Sequence, residues 1–160
     1  MQKRRGLREE FGFVVFGLGK SAVESKVKRI LIVEDEPLVA FDNEHFLHEA
    51  GFEVVATIDR ADEAFRLIAA GGIDLVMADV KLSELGGGTG IDVARVAHEA
   101  GIPVIFVTGE CPTEARGYAV GCLAKPYSQR ELHAAIDAVA MHMAGEKPKR
   151  LPRGFTLFAE

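Results

Sequence analysis

The chain has 160 residues, 48% of them apolar and 27% charged, with a formal net charge of -5. That length fits one domain with a real core, and the acidic balance excludes the clustered basic face of a nucleic-acid binder, since Lys3-Arg4-Arg5 and Lys147 to Arg153 are short and terminal. Cys111 and Cys122 are too few for a disulfide framework or a four-ligand zinc site and read as reduced cytosolic thiols, and no apolar run nears the roughly 20 residues that span a bilayer.

Residues 1–26 alternate charge, glycine and a brief apolar run with no sustained period, and read as a floppy extension. The run Phe13 to Phe16 follows Glu9 and Glu10 and is too short for a signal-peptide core. "GLGKS", Gly17 to Ser21, hints at a phosphate loop, but the pattern needs a glycine where Val14 stands.

From residue 28 the pattern becomes regular. Apolar, β-branched runs recur at Ile30–Val33, Val54–Ile58, Leu75–Ala78 and Val104–Val107, with a weaker one at Ala119–Ala124. Runs that are apolar throughout suit parallel strands covered on both faces. Helical spacing fills the gaps. Pro37 opens a helix with Val39, Phe46, Leu47 and Ala50 on one face and Gly51 after it. Ala61, Ala64, Phe65 and Ile68 form the next face, ended by Gly71. Thr89 and Asp92 make a capping box before Val93, Val96, Ala97 and Ala100, and Gly101 follows. A short helix over Pro112 to Gly117 comes next. The last helix carries Leu132, Ile136, Val139 and Met143 on one stripe. Five βα units with right-handed crossovers give an α/β, doubly wound parallel sheet with helices on both faces. In such sheets chemistry collects beyond the carboxyl ends of the strands.

Those ends carry Glu34-Asp35-Glu36, Asp79, Thr108-Gly109 and Lys125-Pro126. Clustered carboxylates suit a hard divalent cation, Mg²⁺ keeps several waters and bridges to phosphate oxygens, and one carboxylate can serve as nucleophile to form an aspartyl phosphate. A transferring phosphoryl group needs metal, ammonium and hydroxyl partners around its oxygens.

"LIVEDEP", "DLVMADVKL", "PVIFVTGE" and "LAKPY", in that order and each at a strand end, resemble the receiver domain of two-component response regulators over about residues 28–143. The resemblance implies a flavodoxin-like five-stranded sheet of order 2-1-3-4-5 with five flanking helices. It implies Asp79 as phosphoacceptor, Asp35 as direct Mg²⁺ ligand, Glu34 as ligand mostly through water, and the Lys81 backbone carbonyl as a further ligand. Thr108 and Lys125 would each bind a phosphoryl oxygen, and the Lys125–Pro126 peptide would be cis. Glu36 is expected to face solvent or help cap the first helix. The five histidines, at 45, 48, 98, 133 and 142, read as surface residues rather than phosphodonors.

The sequence departs from that family in places. Cys122 stands three residues before the lysine, where receivers often place Tyr or Phe, and the nearby aromatic, Tyr127, follows the proline. Gly109, Gly117 and Gly121 make the fourth helix short or irregular. "FVTGE" resembles a subgroup of single-domain receivers with a Phe-Ala-Thr-Gly-type signature. Gly86-Gly87-Gly88 reads either as a mobile element beside Asp79 or as a simple long turn.

The expected layout is a flexible extension over 1–26, a receiver over 27–144 and a basic tail over 145–160, in which "FTLF" makes a brief contact. The tail is too short for an output domain, so the chain reads as a stand-alone, cytoplasmic receiver. Expected partners are a sensor histidine kinase or histidine phosphotransfer protein and a downstream protein, with no nucleic acid or membrane; receivers often dimerise, which leaves a homodimer open. Two other readings stand beside this one. The first is a receiver-like adaptor that is never phosphorylated. The second is a Mg²⁺-dependent phosphatase, whose nucleophile should be followed two residues on by an acid; after Asp79 comes Val80-Lys81.

Overall fold

The computed structural model of the protein describes residues 26–158. The expected extension over 1–26 and its "GLGKS" motif lie outside these residues, save Lys26. In chain order the elements are β1 (Arg29–Val33), α1 (Pro37–Glu49), β2 (Glu53–Ile58), α2 (Ala61–Ala70), β3 (Leu75–Ala78), a 3-10 turn (Glu84–Gly86), α3 (Gly90–Glu99), β4 (Val104–Thr108), a second 3-10 turn (Thr113–Ala115), β5 (Gly121–Ala124), α4 (Gln129–Met143) and β6 (Phe155–Leu157). The sheet order is β2-β1-β3-β4-β5-β6. The first five strands are parallel, in the flavodoxin-like order expected, and β6 is antiparallel to β5.

Strand periodicity divides the core into two layers. Leu31, Val33, Val76, Ala78, Val104 and Phe106 point to the side covered by Ala61, Ala64 and Ile68 of α2 and Val93, Ala94 and Ala97 of α3. Their neighbours Ile30, Ile32, Leu75, Met77, Ile105, Val107 and Leu123 point the other way, onto Leu47 of α1 and Leu132, Ala135, Ile136 and Val139 of α4. Successive strand residues alternate faces, so a strand that is apolar throughout is a strand buried twice.

Several helix signals act as read. Thr89 accepts from the Ile91 and Asp92 amides while Asp92 accepts from the Thr89 amide. Ser128 and Glu131 form a second capping box at α4, which the apolar stripe alone did not reveal. The expected inward faces overreach at the helix ends: Ala50 and Ala100 are exposed C-caps and Met143 is 48% exposed. A helix that outruns the sheet has nothing to bury its last turn against.

In the C-terminal half the short or irregular fourth helix is borne out, and the expected tail is corrected. The fourth of the five expected helices is only the turn Thr113–Ala115, so residues 109–120 cross from β4 to β5 almost without helix and among the described residues four α-helices flank the sheet. The expected tail returns to the sheet past residue 144 as β6, pairing Leu123, Cys122 and Gly121 with Phe155, Thr156 and Leu157. Gly121 permits this approach: a Cβ there would lie 2.6 Å from the Phe155 ring and 2.7 Å from the Thr156 carbonyl oxygen. The "FTLF" contact is thus a strand that covers the edge of β5, which a parallel sheet otherwise leaves open.

Candidate functional site

Because all five parallel strands run the same way, their carboxyl ends meet at one rim. β1 delivers Glu34, Asp35 and Glu36, β3 delivers Asp79, β4 ends in Thr108, and β5 leads into Lys125. Register keeps the last two together: Thr108 pairs with Ala124, and the Lys125 amide donates to the Thr108 carbonyl at 2.8 Å. The Lys125–Pro126 peptide is cis, as the resemblance implied.

Glu34, Asp79 and Thr108 are buried, whereas Asp35 is exposed. One carboxylate oxygen from each of Glu34, Asp35 and Asp79 lies within 4.8 Å of the others. The Lys125 ammonium reaches into this group, with Nζ 3.0 Å from Glu34 Oε1, 3.0 Å from Asp79 Oδ2 and 2.6 Å from Glu36 Oε1. Glu36 faces solvent, as expected, with its side chain 59% exposed, and it also takes a part in the site. Its carbonyl does open α1, accepting from the Ala40 amide, but its side chain holds Lys125. The triplet alone carries no signal for this, because the partner lies 89 residues away.

The electrostatics separate the two buried carboxyls. Burial pushes Glu34 up to about 7, and the Lys125 hydrogen bond and the Glu36 amide only partly oppose it. Burial also works against ionised Asp79, but there the hydrogen bond and charge of Lys125 prevail and the carboxyl is lowered. Burial likewise opposes the Lys125 ammonium; its bonds to Glu36, Asp79 and Glu34 prevail and hold it above the ordinary lysine range. Asp79 is thus the more readily ionised of the two buried carboxyls.

Asp79 sits at a cleft of about 710 Å³ lined by Glu36, Val80, Lys81, Thr108, Lys125 and the segment 109–114. The Lys81 amide donates to Asp79 Oδ1 at 3.3 Å. The chain after Asp79 is pinned from behind: the Gly90 amide donates to the Val80 carbonyl, and a Cβ built on Gly90 would overlap the Asp79 carbonyl oxygen. Gly90→Ala is therefore expected to shift the Asp79 backbone and to destabilise by about 2 kcal/mol or more. Gly109→Ala, whose Cβ meets nothing within 4 Å, is the matched control. Equal urea midpoints for the two variants would contradict the close approach.

Of the two readings of the glycine loop, the packing favours the turn. Gly86 is buried, a Cβ there would come within 2.9 Å of the Ala61 amide nitrogen, and Arg60 donates to the Leu85 carbonyl. Two residues after Lys125 in the chain, the Tyr127 hydroxyl and the buried Asn43 side-chain amide of α1 bond each other at 2.9 and 3.1 Å. Sequence reading did not single out Asn43; a polar residue within an otherwise inward helical face was the available sign. Four histidines are exposed, and His133 is half-buried against Phe46 and Phe52, away from the site.

Cys111 and Cys122 correct the expectation of reduced thiols. They form a disulfide, with Cα atoms 6.0 Å apart, inside the usual range. Their placement within the fold, which spacing alone did not reveal, makes this possible: Cys122 is buried on β5, and Cys111 follows β4 three residues after Thr108.

Comparison with known proteins agrees with this geometry. The family model described as "Response regulator receiver domain" matches residues 30–137. The transcriptional regulatory protein PdtaR of Mycobacterium tuberculosis is 34% identical over 116 residues, covering 69% of this chain and 55% of its own. The chain spans about half the length of the curated relatives it matches. Among solved structures, a CheY-like receiver domain protein from Methanospirillum hungatei superposes with a TM-score of 0.66 at 26% identity, covering 75% of this chain and 98% of that one. The response regulator TrrA of Thermotoga maritima, solved in complex with Mg(2+)-BeF, gives 0.62 at 26% identity, covering 69% and 97%. With the match extending from β1 into α4 and the acidic rim of the sheet in place, the chain belongs to the response regulator receiver domain family, a signalling family of two-component systems.

Proposed function

We propose that the chain accepts a phosphoryl group on Asp79 from a histidine kinase or a histidine phosphotransfer protein, and signals through the surface change that follows. The observation that carries this reading is the state of Asp79: nearly buried at the cleft, kept ionised, and 3.0 Å from the Lys125 ammonium. An Asp79 carboxylate oxygen attacks phosphorus, the bond from phosphorus to the donor imidazole nitrogen breaks, and an acyl phosphate results. Lys125 and Thr108 then hold phosphoryl oxygens. In doing so Lys125 exchanges part of its hold on Glu36 and Glu34 for the new dianion, which is a local event able to bias a two-state surface.

The carboxylates of Glu34, Asp35 and Asp79, with the Lys81 carbonyl, are the residues that would hold Mg²⁺. Three clustered carboxylate oxygens are a hard-donor set suited to that ion. Bound there, Mg²⁺ supplies charge neutralisation for the phosphoryl oxygens. Linkage then predicts that Mg²⁺ at about 100 times its dissociation constant stabilises the fold by roughly 2.7 kcal/mol. Asp35→Asn should remove most of that gain while leaving the fold intact, because Asp35 is exposed. Thermal melts in chelator and in Mg²⁺ read this directly; no Mg²⁺ effect on the wild type would discard the metal site.

We place the protein in the cytoplasm, where two-component kinases present their phosphohistidine; among the described residues no helix is long and apolar enough to cross a membrane. Leu38 and Phe41, 80% and 68% exposed on the first turns of α1 after Glu36, offer an apolar face for a partner protein. The reading treats the chain as a signalling domain that assists only its own phosphorylation and dephosphorylation. Its test is labelling by a small-molecule acyl phosphate with and without Mg²⁺. Undiminished partner binding by unphosphorylated Asp79→Asn would favour the adaptor reading instead.

A further inference from the structure

We infer that Cys111 and Cys122 are a thiol–disulfide modification site whose oxidation state sets the order of residues 109–120 and, through them, the lifetime of the phosphoryl group on Asp79. The phosphoryl part of this inference rests on Asp79 being the phosphoacceptor.

Placement carries the inference. Cys111 lies three residues after Thr108 and Cys122 three residues before Lys125, so the disulfide ties together the two segments that end in the phosphoryl-binding side chains. Cys122 is an anchor: fully buried, in register with Phe106 of β4 on one side and Thr156 of β6 on the other. Cys111 is the movable partner, half-buried and lining the cleft with Gly109, Glu110 and Thr113.

The segment between them has little else to fix it. Where the other crossovers carry ten or more residues of α-helix, this one carries the three-residue turn Thr113–Ala115. Its other anchors gather toward β5: Ala115 and Ala119 are buried, His98 stands against Tyr118, the Arg116 guanidinium lies 5.4 Å from the centre of the Phe158 ring, and the Val120 amide donates to the Val104 carbonyl, whereas at the cleft Pro112 is buried but Gly109, Glu110, Thr113 and Glu114 are exposed. A covalent tie across a segment with few internal hydrogen bonds removes most of its freedom to open. Opening would admit water to one whole wall of the cleft, because residues 109–114 are that wall.

The chemistry is ordinary thiol–disulfide exchange with a dithiol reductant, either a small dithiol or a protein of the dithiol oxidoreductase class. A reductant thiolate attacks Cys111 Sγ from the cleft, the S–S bond breaks, and Cys122 leaves as a thiolate that takes a proton. The second reductant thiol then attacks its own mixed-disulfide sulfur and releases Cys111. Two electrons and two protons pass to the protein, and the reductant leaves as a disulfide. The reverse step uses a low-mass disulfide such as oxidised glutathione. In the oxidised form Thr108 to Cys111 stay seated over Asp79 and shield the acyl phosphate. In the reduced form the wall loosens and water hydrolyses it sooner.

The experiment compares the full chain in two states, equilibrated with oxidised glutathione or with dithiothreitol. Thiol alkylation and intact mass establish the redox state. Amide hydrogen exchange follows residues 109–120, and decay of label from a small-molecule acyl phosphate follows Asp79. The expected result is exchange about tenfold faster in the reduced form. The phosphoryl half-life should also be shorter by about tenfold, because a closed site that excludes water protects a reactive intermediate from hydrolysis. Cys111→Ser should match the reduced wild type in both readouts and ignore dithiothreitol. Equal exchange and equal half-lives in the two states would overturn the inference. So would two alkylatable thiols after oxidised glutathione, or a dithiothreitol response in Cys111→Ser. If neither redox form takes label, the phosphoacceptor reading fails and takes the phosphoryl part with it, while the exchange data still decide whether the disulfide orders the loop.

Discussion

Asp79→Asn is expected to lose phosphoryl labelling from a small-molecule acyl phosphate by at least about 100-fold, because an amide is no nucleophile. The substitution keeps the side-chain shape and one oxygen for Lys125, which lies 3.0 Å away, so the variant should fold. A thermal melt close to that of the wild type separates loss of the nucleophile from loss of the protein. The other acids at the rim do not substitute easily. Glu34 is 4% exposed and burial pushes its carboxyl up to about 7, so it is ionised less readily than Asp79, whose carboxyl is lowered. Asp35 is exposed and lies after β1, and it does not line the cleft that Asp79, Thr108 and Lys125 share. Label at the wild-type level in Asp79→Asn would refute the nucleophile assignment, and mapping the labelled peptide would then say which acid carries it.

Lys125→Met should destabilise the protein by about 3 kcal/mol in chelator, since removing one partner of a buried charge group strands the others. Lys125 is the one cation within 4.0 Å of Glu34, Glu36 and Asp79 among the described residues, and the side chains of Glu34 and Asp79 are only 3% and 8% exposed. Methionine keeps the apolar stem and deletes the charge, so the loss reports the ammonium rather than a cavity. Glu36→Gln is the control: its side chain is 59% exposed, and an exposed pair contributes about 0–1 kcal/mol. Urea titrations in chelator measure both variants. A Lys125→Met midpoint equal to that of the wild type would mean that the three short contacts contribute nothing net.

Much of the site is legible in the sequence. Asp79, Thr108, Lys125 and the Glu34-Asp35 pair each stand at the end of an apolar β-branched run, and parallel strands bring their ends to one rim whatever the loops do. Glu36 was not legible, because the contact that gives it a role is made with Lys125, 89 residues on. Nor was Asn43, whose partner Tyr127 lies beyond β5.

The sequence by itself determined the architecture of the first five strands, the position of the helices around them, the weakness of the fourth helix and the gathering of acids with one lysine. The parallel strands, the helices and the shared rim follow from periodicity, caps and glycines, which are local and act within a few residues of chain; the strand order is what the family resemblance implied. Only the tertiary structure decided the rest. It brought β6 back to β5 where Gly121 leaves room for Phe155, and it closed Cys111 onto Cys122 at a Cα separation of 6.0 Å. It also separated the two carboxyls, lowering Asp79 and raising Glu34 although both are buried acids at strand ends. Each of these depends on distances between residues far apart in the chain and on the water their neighbours exclude, and no local pattern encodes either.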